Sequence, residues 1–207
     1  MKNKIVLVAT SLLLASTLNA EGIRPLLSVE LGFEGGSVDN DYSAAGFVPE
    51  SYEHDYSGMG FRLAGGIAIE HETLESRIKL YLESGSGEVE FDPRFNLLDE
   101  DYDSTEIGFS YDLVFSSDEI EPFIGIEIGA GSSEFDVPGA EESDYTSFGL
   151  YGGLLVPINE NLDFSARIGF KSRNYDDYSE FVSGIGIITE ETSYSGLDLK
   201  VGLTYVF

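Results

Sequence analysis

The chain has 207 residues, and its 11 basic against 38 acidic residues give a formal net charge of −27 at pH 7. This balance argues against a nucleic-acid partner, because nucleic-acid-binding proteins need a basic surface. There is no cysteine to form a disulfide, and an aromatic content of 13% with 24 glycines argues against the disorder that strong acidity otherwise indicates.

The N-terminal residues have the pattern of a secretory signal peptide. Two lysines precede the apolar stretch 5–14, and small residues then lead up to Glu21. The apolar stretch is too short to span a bilayer as a helix. We therefore predict that residues 1–20 are a signal peptide cleaved after Ala20, and that residues 21–207 form a single exported domain.

Alternating segments follow along the rest of the chain. In each of them large apolar residues alternate with polar, charged or glycine residues, which gives a β-strand one apolar and one polar face. The segments lie at residues 27–34, 59–70, 77–83, 106–115, 123–129, 147–156, 162–171 and 199–207. They predict an all-β fold with eight strands.

The connections between these segments alternate between long and short. Short turns are expected near residues 71–73, 116–119 and 157–161, and long loops at about 37–56, 85–104, 134–145 and 174–192. This asymmetry is typical of membrane barrels with short periplasmic turns and long extracellular loops. We therefore predict an eight-stranded antiparallel up-and-down transmembrane β-barrel; a ten-stranded barrel would need further strands within the long loops.

The same alternation also fits a soluble β-sandwich or a lipocalin-like barrel, in which the apolar face is inside. The signal peptide, the unequal connections and the glycines of the polar face favour the membrane barrel, in which the charged face is enclosed. The residues predicted to form a charge network inside the barrel are Glu30, Glu34, Arg62, Glu70, Arg77, Lys79, Glu83, Glu106, Asp112, Glu127, Asp163, Arg167, Lys171, Arg173, Asp198 and Lys200.

The interior of an eight-stranded barrel is just wide enough for side chains to fill it. Enclosed charges must be paired or solvated, so the network is expected to be a salt-bridged polar core. A narrow, gated path for cations is the alternative.

The long loops are strongly acidic. Asp99, Asp101 and Asp103 match the first acidic positions of a calcium-binding loop, but Ser104 and Ser110 stand where such a loop needs glycine and glutamate. The calcium-loop match therefore fails. A looser divalent-cation site, shared with lipopolysaccharide phosphates, stays a hypothesis beside a solvated run of charge.

Two further groups of residues fall near the tops of the strands. Some of the tyrosines at 42, 52, 56, 102, 145, 175 and 178 are expected to form the outer aromatic girdle. Apolar residues at 181, 182, 185, 187 and 188 cover the barrel mouth, extend a hairpin above the bilayer, or form a contact patch.

The residues offer little for enzymatic chemistry. The two histidines, His54 and His71, are expected at opposite ends of the barrel, so they share no site. His54 with Asp55 and either Ser51 or Ser57 is the one weak combination. We predict no enzymatic activity, no catalytic residue, no cofactor and no firm metal site.

The chain closes on a strand with Leu203, Tyr205 and Phe207 on its apolar face. In its overall pattern and in this strand it resembles the small Gram-negative outer-membrane β-barrel family, typified by the OmpA transmembrane domain, OmpX/Ail-type proteins and opacity-type porin-family proteins. The resemblance implies that Leu203, Tyr205 and Phe207 form the signal read by the barrel-assembly machinery. It also implies the cell outer membrane as the location, with lipid and lipopolysaccharide as neighbours.

The function expected from this resemblance is a structural and surface-display role as a monomeric outer-membrane protein without nucleic-acid partner. A small, cation-preferring porin-like channel is one alternative. An adhesin or host-factor binder that acts through the acidic loops is another.

Overall fold

The computed structural model describes residues 22–44, 49–90, 100–117, 119–136, 142–182 and 186–207. The predicted signal peptide therefore lies outside the described residues. Nine strands are described: β1 (Ile23–Ala44), β2 (Glu50–Glu70), β3 (Leu74–Glu90), β4 (Glu100–Phe115), β5 (Glu121–Phe135), β6 (Ser143–Asn159), β7 (Leu162–Tyr175), β8 (Tyr178–Val182) and β9 (Gly186–Val206). The described residues include no helix long and apolar enough to cross a membrane.

Eight of the nine strands form a closed ring. Each strand from β1 to β6 pairs antiparallel with the next, β7 pairs with β9, and β9 pairs back onto β1. The ring closure leaves no open sheet edge, so its backbone hydrogen-bonding groups are satisfied within the wall. The predicted eight-stranded antiparallel barrel is confirmed.

The barrel is apolar outside and charged inside. Outward-facing Phe109 and Leu150 are each 58% exposed, whereas inward-facing Arg62 is 2% exposed. The alternation of each strand produces this arrangement, because successive side chains point to opposite faces of the sheet. The exposed side chains form a continuous apolar band around the ring. This arrangement is the reverse of that in a soluble protein, where apolar side chains are mostly inside.

The strands continue into all four segments predicted as loops. β1 runs to Ala44 and β2 begins at Glu50, so most of residues 37–56 is strand, and the other three loop segments are shortened in the same way. The reason is that apolar alternation, from which the strands were predicted, stops short of these strand ends. Above the apolar band the outward-facing residues are mostly polar, while the ladder of backbone hydrogen bonds continues.

β8 lies inside the fourth predicted loop but outside the ring. It pairs with the start of β9, and Tyr178 is opposite Glu190. On the other side of β9, Ile188 is opposite Ala44 of β1, and Asn40 of β1 is opposite Tyr52 of β2. These four strands rise above the last described pair of β2 and β3, Asp55 with Glu90. We call this part the loop-end extension, because it lies at the end of the barrel where the long loops were predicted. Of the alternatives for the fourth loop, the structure shows the hairpin, formed by β8 and β9.

Candidate functional site

The barrel interior is the candidate site, and Arg62 on β2 is at its centre. Its guanidinium donates hydrogen bonds of 2.6 Å to Glu83 and of 2.7 and 3.1 Å to the two carboxylate oxygens of Glu127. The ring of Tyr81 lies 3.8 Å from the guanidinium carbon. The hydroxyl of Tyr81 donates in turn to Glu106 at 2.6 Å. Arg62 thus connects three strands through charge-assisted contacts, which are the stronger kind of hydrogen bond.

Other basic side chains share their carboxylates across the interior. Lys200 contacts Glu83 at 3.1 Å and Asp198 at 2.8 Å. Lys171 lies 3.0 Å from Glu106, and Lys79 lies 2.7 Å from Asp112. Each of these cations has more than one carboxylate within reach, so the interior behaves as one network in which removal of any member leaves a buried charge without its partner.

Arg167 completes this ionic layer. Its guanidinium lies 3.2 Å from Glu127 and 3.5 Å from Glu30. It is also 4.2 Å above the ring of Tyr151, whose hydroxyl donates a hydrogen bond to Asp112. The planar guanidinium stacks on the ring and still faces the carboxylates, which a lysine ammonium does less well.

We call the end of the barrel that carries the short turns the turn end. There the interior is closed by apolar side chains and further ion pairs. One apolar cluster joins β1, β2 and β9, and a second joins β4, β5 and β6; together they contain Leu26, Ala68, Val206, Val114, Phe123, Tyr151 and Leu155. Beside them Arg77 contacts Glu75 at 2.5 Å and Asp163 at 2.8 Å. Glu70 departs from the prediction, because it ends β2 at the barrel mouth: its side chain is 55% exposed and pairs with Arg24 at 2.6 Å.

Tyrosines close the interior at the opposite end, the loop end. Tyr56, Tyr102, Tyr145, Tyr175 and Tyr194 are between 2% and 8% exposed and pack in one cluster with Val38 and Val89. Tyr56, Tyr102, Tyr145 and Tyr175 are therefore not among the tyrosines of an outer girdle. Each occupies a position of its strand whose alternation points inward, in line with buried neighbours two residues away. We call this cluster the tyrosine lid.

Arg173 and Glu34 attach the tyrosine lid to the ionic layer. Arg173 donates two hydrogen bonds to the carboxylate of Glu34, at 2.9 and 2.7 Å, and Tyr102 donates a third at 3.0 Å. Just below, Glu83, Arg173 and Asp198 border a cavity of about 10 Å³. A space of that size holds at most about one water molecule.

Glycines on the inner face make room for the large interior rings. A Cβ on Gly108 would lie 2.5 Å from the ring and hydroxyl of Tyr81, and a Cβ on Gly169 would lie 2.5 Å from the Cβ of Tyr151. Glycine is therefore required at both positions by close packing and not by backbone conformation. The glycines were expected from the sequence to leave space for long side chains, but Tyr81 and Tyr151 were not among the residues predicted for the network.

The candidate cation site on β4 lies on the outer wall. Asp101 and Asp103 both point outward and are exposed, and Asp99 lies outside the described residues. Among the residues that the structure describes, no group of three or more acidic, histidine or cysteine side chains is placed to hold a metal ion.

The two histidines occupy different environments. His54 is 8% exposed and faces the interior side of β2, whereas Ser51, Asp55 and Ser57 are exposed on the opposite face. This separation argues against a combined site of these residues. His71 lies in the turn after β2, with its Nε2 atom 3.4 Å from the hydroxyl of Ser76.

The C-terminal residues are held on both sides. Leu203 and Tyr205 point outward and are 46% and 42% exposed, and the rings of Tyr205 and Phe207 pack edge to face with centroids 4.9 Å apart. The Phe207 N–H donates to the carbonyl of Pro25 on β1 at 2.9 Å. This strand is therefore part of the seam that closes the ring.

In the loop-end extension, Tyr42 donates a hydrogen bond of 2.9 Å to Glu190. Partial burial, together with this carboxylate, raises the pKa of Tyr42 to about 12. Partial burial also raises the pKa of Glu100 at the start of β4. The extension is thus held by side-chain contacts as well as by its backbone ladder.

Comparison with known proteins identifies the fold of this chain but no closer relationship to a known protein. No protein-family model matches the chain, and no curated protein matches its sequence. Among solved structures, the outer membrane protein OprG from Pseudomonas aeruginosa has 10% sequence identity and a TM-score of 0.53, over 90% of this chain and 96% of that one.

Neisserial surface protein A (NspA) has 13% identity and a TM-score of 0.43, over 87% of this chain and 97% of that one. Ail, the attachment invasion locus protein of Yersinia pestis, has 15% identity and a TM-score of 0.40, over 88% and 98%. At these identities the likeness concerns the fold alone. The likeness to OprG, with its TM-score above 0.5, confirms the expected resemblance to small outer-membrane barrels at that level.

Proposed function

We propose that this chain, with the fold of the small outer-membrane β-barrels, is an integral protein of the cell outer membrane with a structural and surface-display role. In this role it has no enzymatic activity and no open channel. The signal-peptide pattern, the fold shared with OprG and the exposed apolar band support the location, because lipid is the solvent that favours such a band.

The observation that carries the proposal is the filled interior. Between the turn end and the loop end, the space is occupied in succession by apolar clusters, the ionic network around Arg62, and the tyrosine lid. An ion path through these layers would need several buried ion pairs to separate together, and each separation strands a charge. The layers therefore support a packed core over a pore.

The loop-end extension supports the display part of the proposal. It continues the wall as a four-stranded sheet above the apolar band, and its outward-facing Asp41, Glu53 and Glu191 are exposed. A rigid sheet presents such side chains in a fixed arrangement, in contrast to a flexible loop. Binding of a host factor through the acidic residues stays a prediction, which replacement of the extension by a short turn would test.

Single-channel recording in planar bilayers separates the proposed role from the porin-like alternative. We expect no current steps from the native protein, with folding and insertion verified by its heat-modifiable migration on SDS gels. A variant with Tyr102, Tyr145 and Tyr194 changed to alanine serves as a comparison, since it removes three of the five lid tyrosines and leaves the ion pairs around Arg62 in place. Regular, cation-preferring steps from the native protein would establish the pore in place of the closed barrel.

A further inference from the structure

The outer wall carries a groove where the apolar band ends at the loop end. It has a volume of about 1010 Å³ and crosses the wall from β1 to β5. Outward-facing Ser57 and Ser86 line its floor, where other rows of the wall carry large side chains. The groove is therefore a recess built by small residues on neighbouring strands.

One end of this groove belongs to the apolar band. Phe33 and Met59, which stand opposite each other on β1 and β2, are 55% and 60% exposed and line the groove. Their exposure matches that of the side chains that face lipid in the proposed membrane location. A hydrocarbon chain lying here would contact both residues without leaving the membrane.

The other end of the groove is anionic. Five of its six lining carboxylates face outward and are exposed: Glu88, Asp101, Asp103, Glu134 and Asp136. The sixth, Glu34, belongs to the interior, where Arg173 binds it. Glu88 is directly opposite Asp101, and Asp103 is directly opposite Glu134. Like charges in directly opposed positions destabilise a sheet. Among the described residues, none of the five outward-facing carboxylates forms an ion pair with a cation.

We propose that this groove binds an outer-leaflet lipid whose headgroup carries a primary amine. The acyl chain lies against Phe33 and Met59, and the ammonium group lies among Asp101, Asp103 and Glu134. This inference rests on the proposed membrane location, since the apolar end of the groove must face lipid.

The chemistry of the two ends selects this occupant. A headgroup with net negative charge would be repelled by the five carboxylates. A quaternary ammonium brings positive charge but has no N–H, whereas a primary ammonium donates three hydrogen bonds to carboxylate oxygens. Continuity of the groove with the apolar band favours a lipid over a soluble amine, which would leave Phe33 and Met59 uncovered.

Fluorescence quenching by brominated lipids tests the proposal, because the chain contains no tryptophan. Phe33→Trp places a reporter at the apolar end of the groove. Phe170→Trp is the matched control, since Phe170 is 51% exposed on β7, away from the groove. Both variants are refolded into phosphatidylcholine vesicles that contain either brominated phosphatidylethanolamine or brominated phosphatidylcholine at equal mole fraction.

At the reporter of the F33W protein, we expect the ethanolamine lipid to associate roughly threefold more tightly than the choline lipid. At the reporter of the F170W control, the two lipids should associate equally. The expected preference is modest because exposed charge-assisted contacts contribute well under the 1.4 kcal/mol of a tenfold preference. The added changes Asp101→Asn, Asp103→Asn and Glu134→Gln should abolish the preference. These exposed, nearly isosteric changes leave the interior untouched.

Equal quenching by the two lipids at F33W would overturn the groove proposal, and so would a preference that survives removal of the three charges. Either result leaves the membrane barrel standing, because both reporters are still quenched. Absence of quenching by any brominated lipid at both reporters would instead contradict the membrane location, and with it the proposed function.

Discussion

Arg62 illustrates what an enclosed charge requires from its surroundings. It is 2% exposed, and it is held by Glu83, Glu127 and the ring of Tyr81 on neighbouring and distant strands. A buried ion pair adds little net stability when it forms, because both partners lose their hydration. Its loss is expensive, however, since the remaining partners stay buried.

We therefore predict that Arg62→Met lowers the free energy of unfolding by about 3–5 kcal/mol, the usual result of breaking a buried pair from one side. The measurement is a urea titration of the barrel in lipid vesicles. Adding Glu127→Leu to the same protein should recover part of the loss, because it restores the balance of buried charge while Arg167 keeps its contacts with Glu30 and Asp198. A loss below about 1 kcal/mol for the single change would mean that water reaches the network.

Whether a residue has an odd or an even position in its strand explains how much of the barrel interior could be predicted from the sequence. The inward direction of Arg62, Lys79 and Arg167 follows from alternation alone, and so would that of Tyr56 and Tyr102 if parity were applied to the tyrosines. The partners of each charge could not be read, because they lie on strands distant in sequence. Arg62 with Glu127 is such a pair, set by ring closure and side-chain length together.

Each strand has two sections with different requirements. Within the apolar band, outward-facing residues such as Ile126 on β5 must suit lipid, and alternation is strict. Above it, outward-facing Ser132 on the same strand meets no such constraint. The strand boundaries near the loop end were therefore not predictable from apolar alternation, although the ladder itself continues.

Substitution along β5 tests this division of the strand. Ile126→Arg is expected to lower the free energy of unfolding in vesicles by about 2–4 kcal/mol, because an arginine at the midplane faces lipid. Ser132→Arg, on the same face but above the band, should lower it by no more than about 1 kcal/mol. Equal effects of the two changes would contradict the proposed position of the bilayer.

At the scale of the whole molecule, the closed ring makes unfolding a single event. β9 pairs with β1 on one side and β7 on the other, and Leu203 is opposite both Val29 and Phe164. The number and order of the ring strands were predictable from sequence, because each short turn fixes an antiparallel pair. The β8 hairpin above the ring was one of several open alternatives.

Closure predicts heat-modifiable migration on SDS gels. Without boiling, the native protein from an outer-membrane fraction should run ahead of its boiled form, because the closed ladder resists detergent. Leu203→Pro should abolish the difference, since proline removes a donor in a strand paired on both sides. Leu203→Ile is the matched control and should keep it; loss of the shift in that control would show that the assay reports packing at position 203 and not closure.

The seam between β1 and β9 can form only after the last strand of the chain is present, which delays closure of the ring during biogenesis. Leu26 and Val206 are partners, although they stand near opposite ends of the sequence. The first strand can pair with β2 at once, but its other edge stays open until the last strand is present, and contacts so distant in sequence form slowly. Until then the apolar segments are exposed to water on a polypeptide whose abundant carboxylates repel one another, and this repulsion opposes aggregation before the barrel closes.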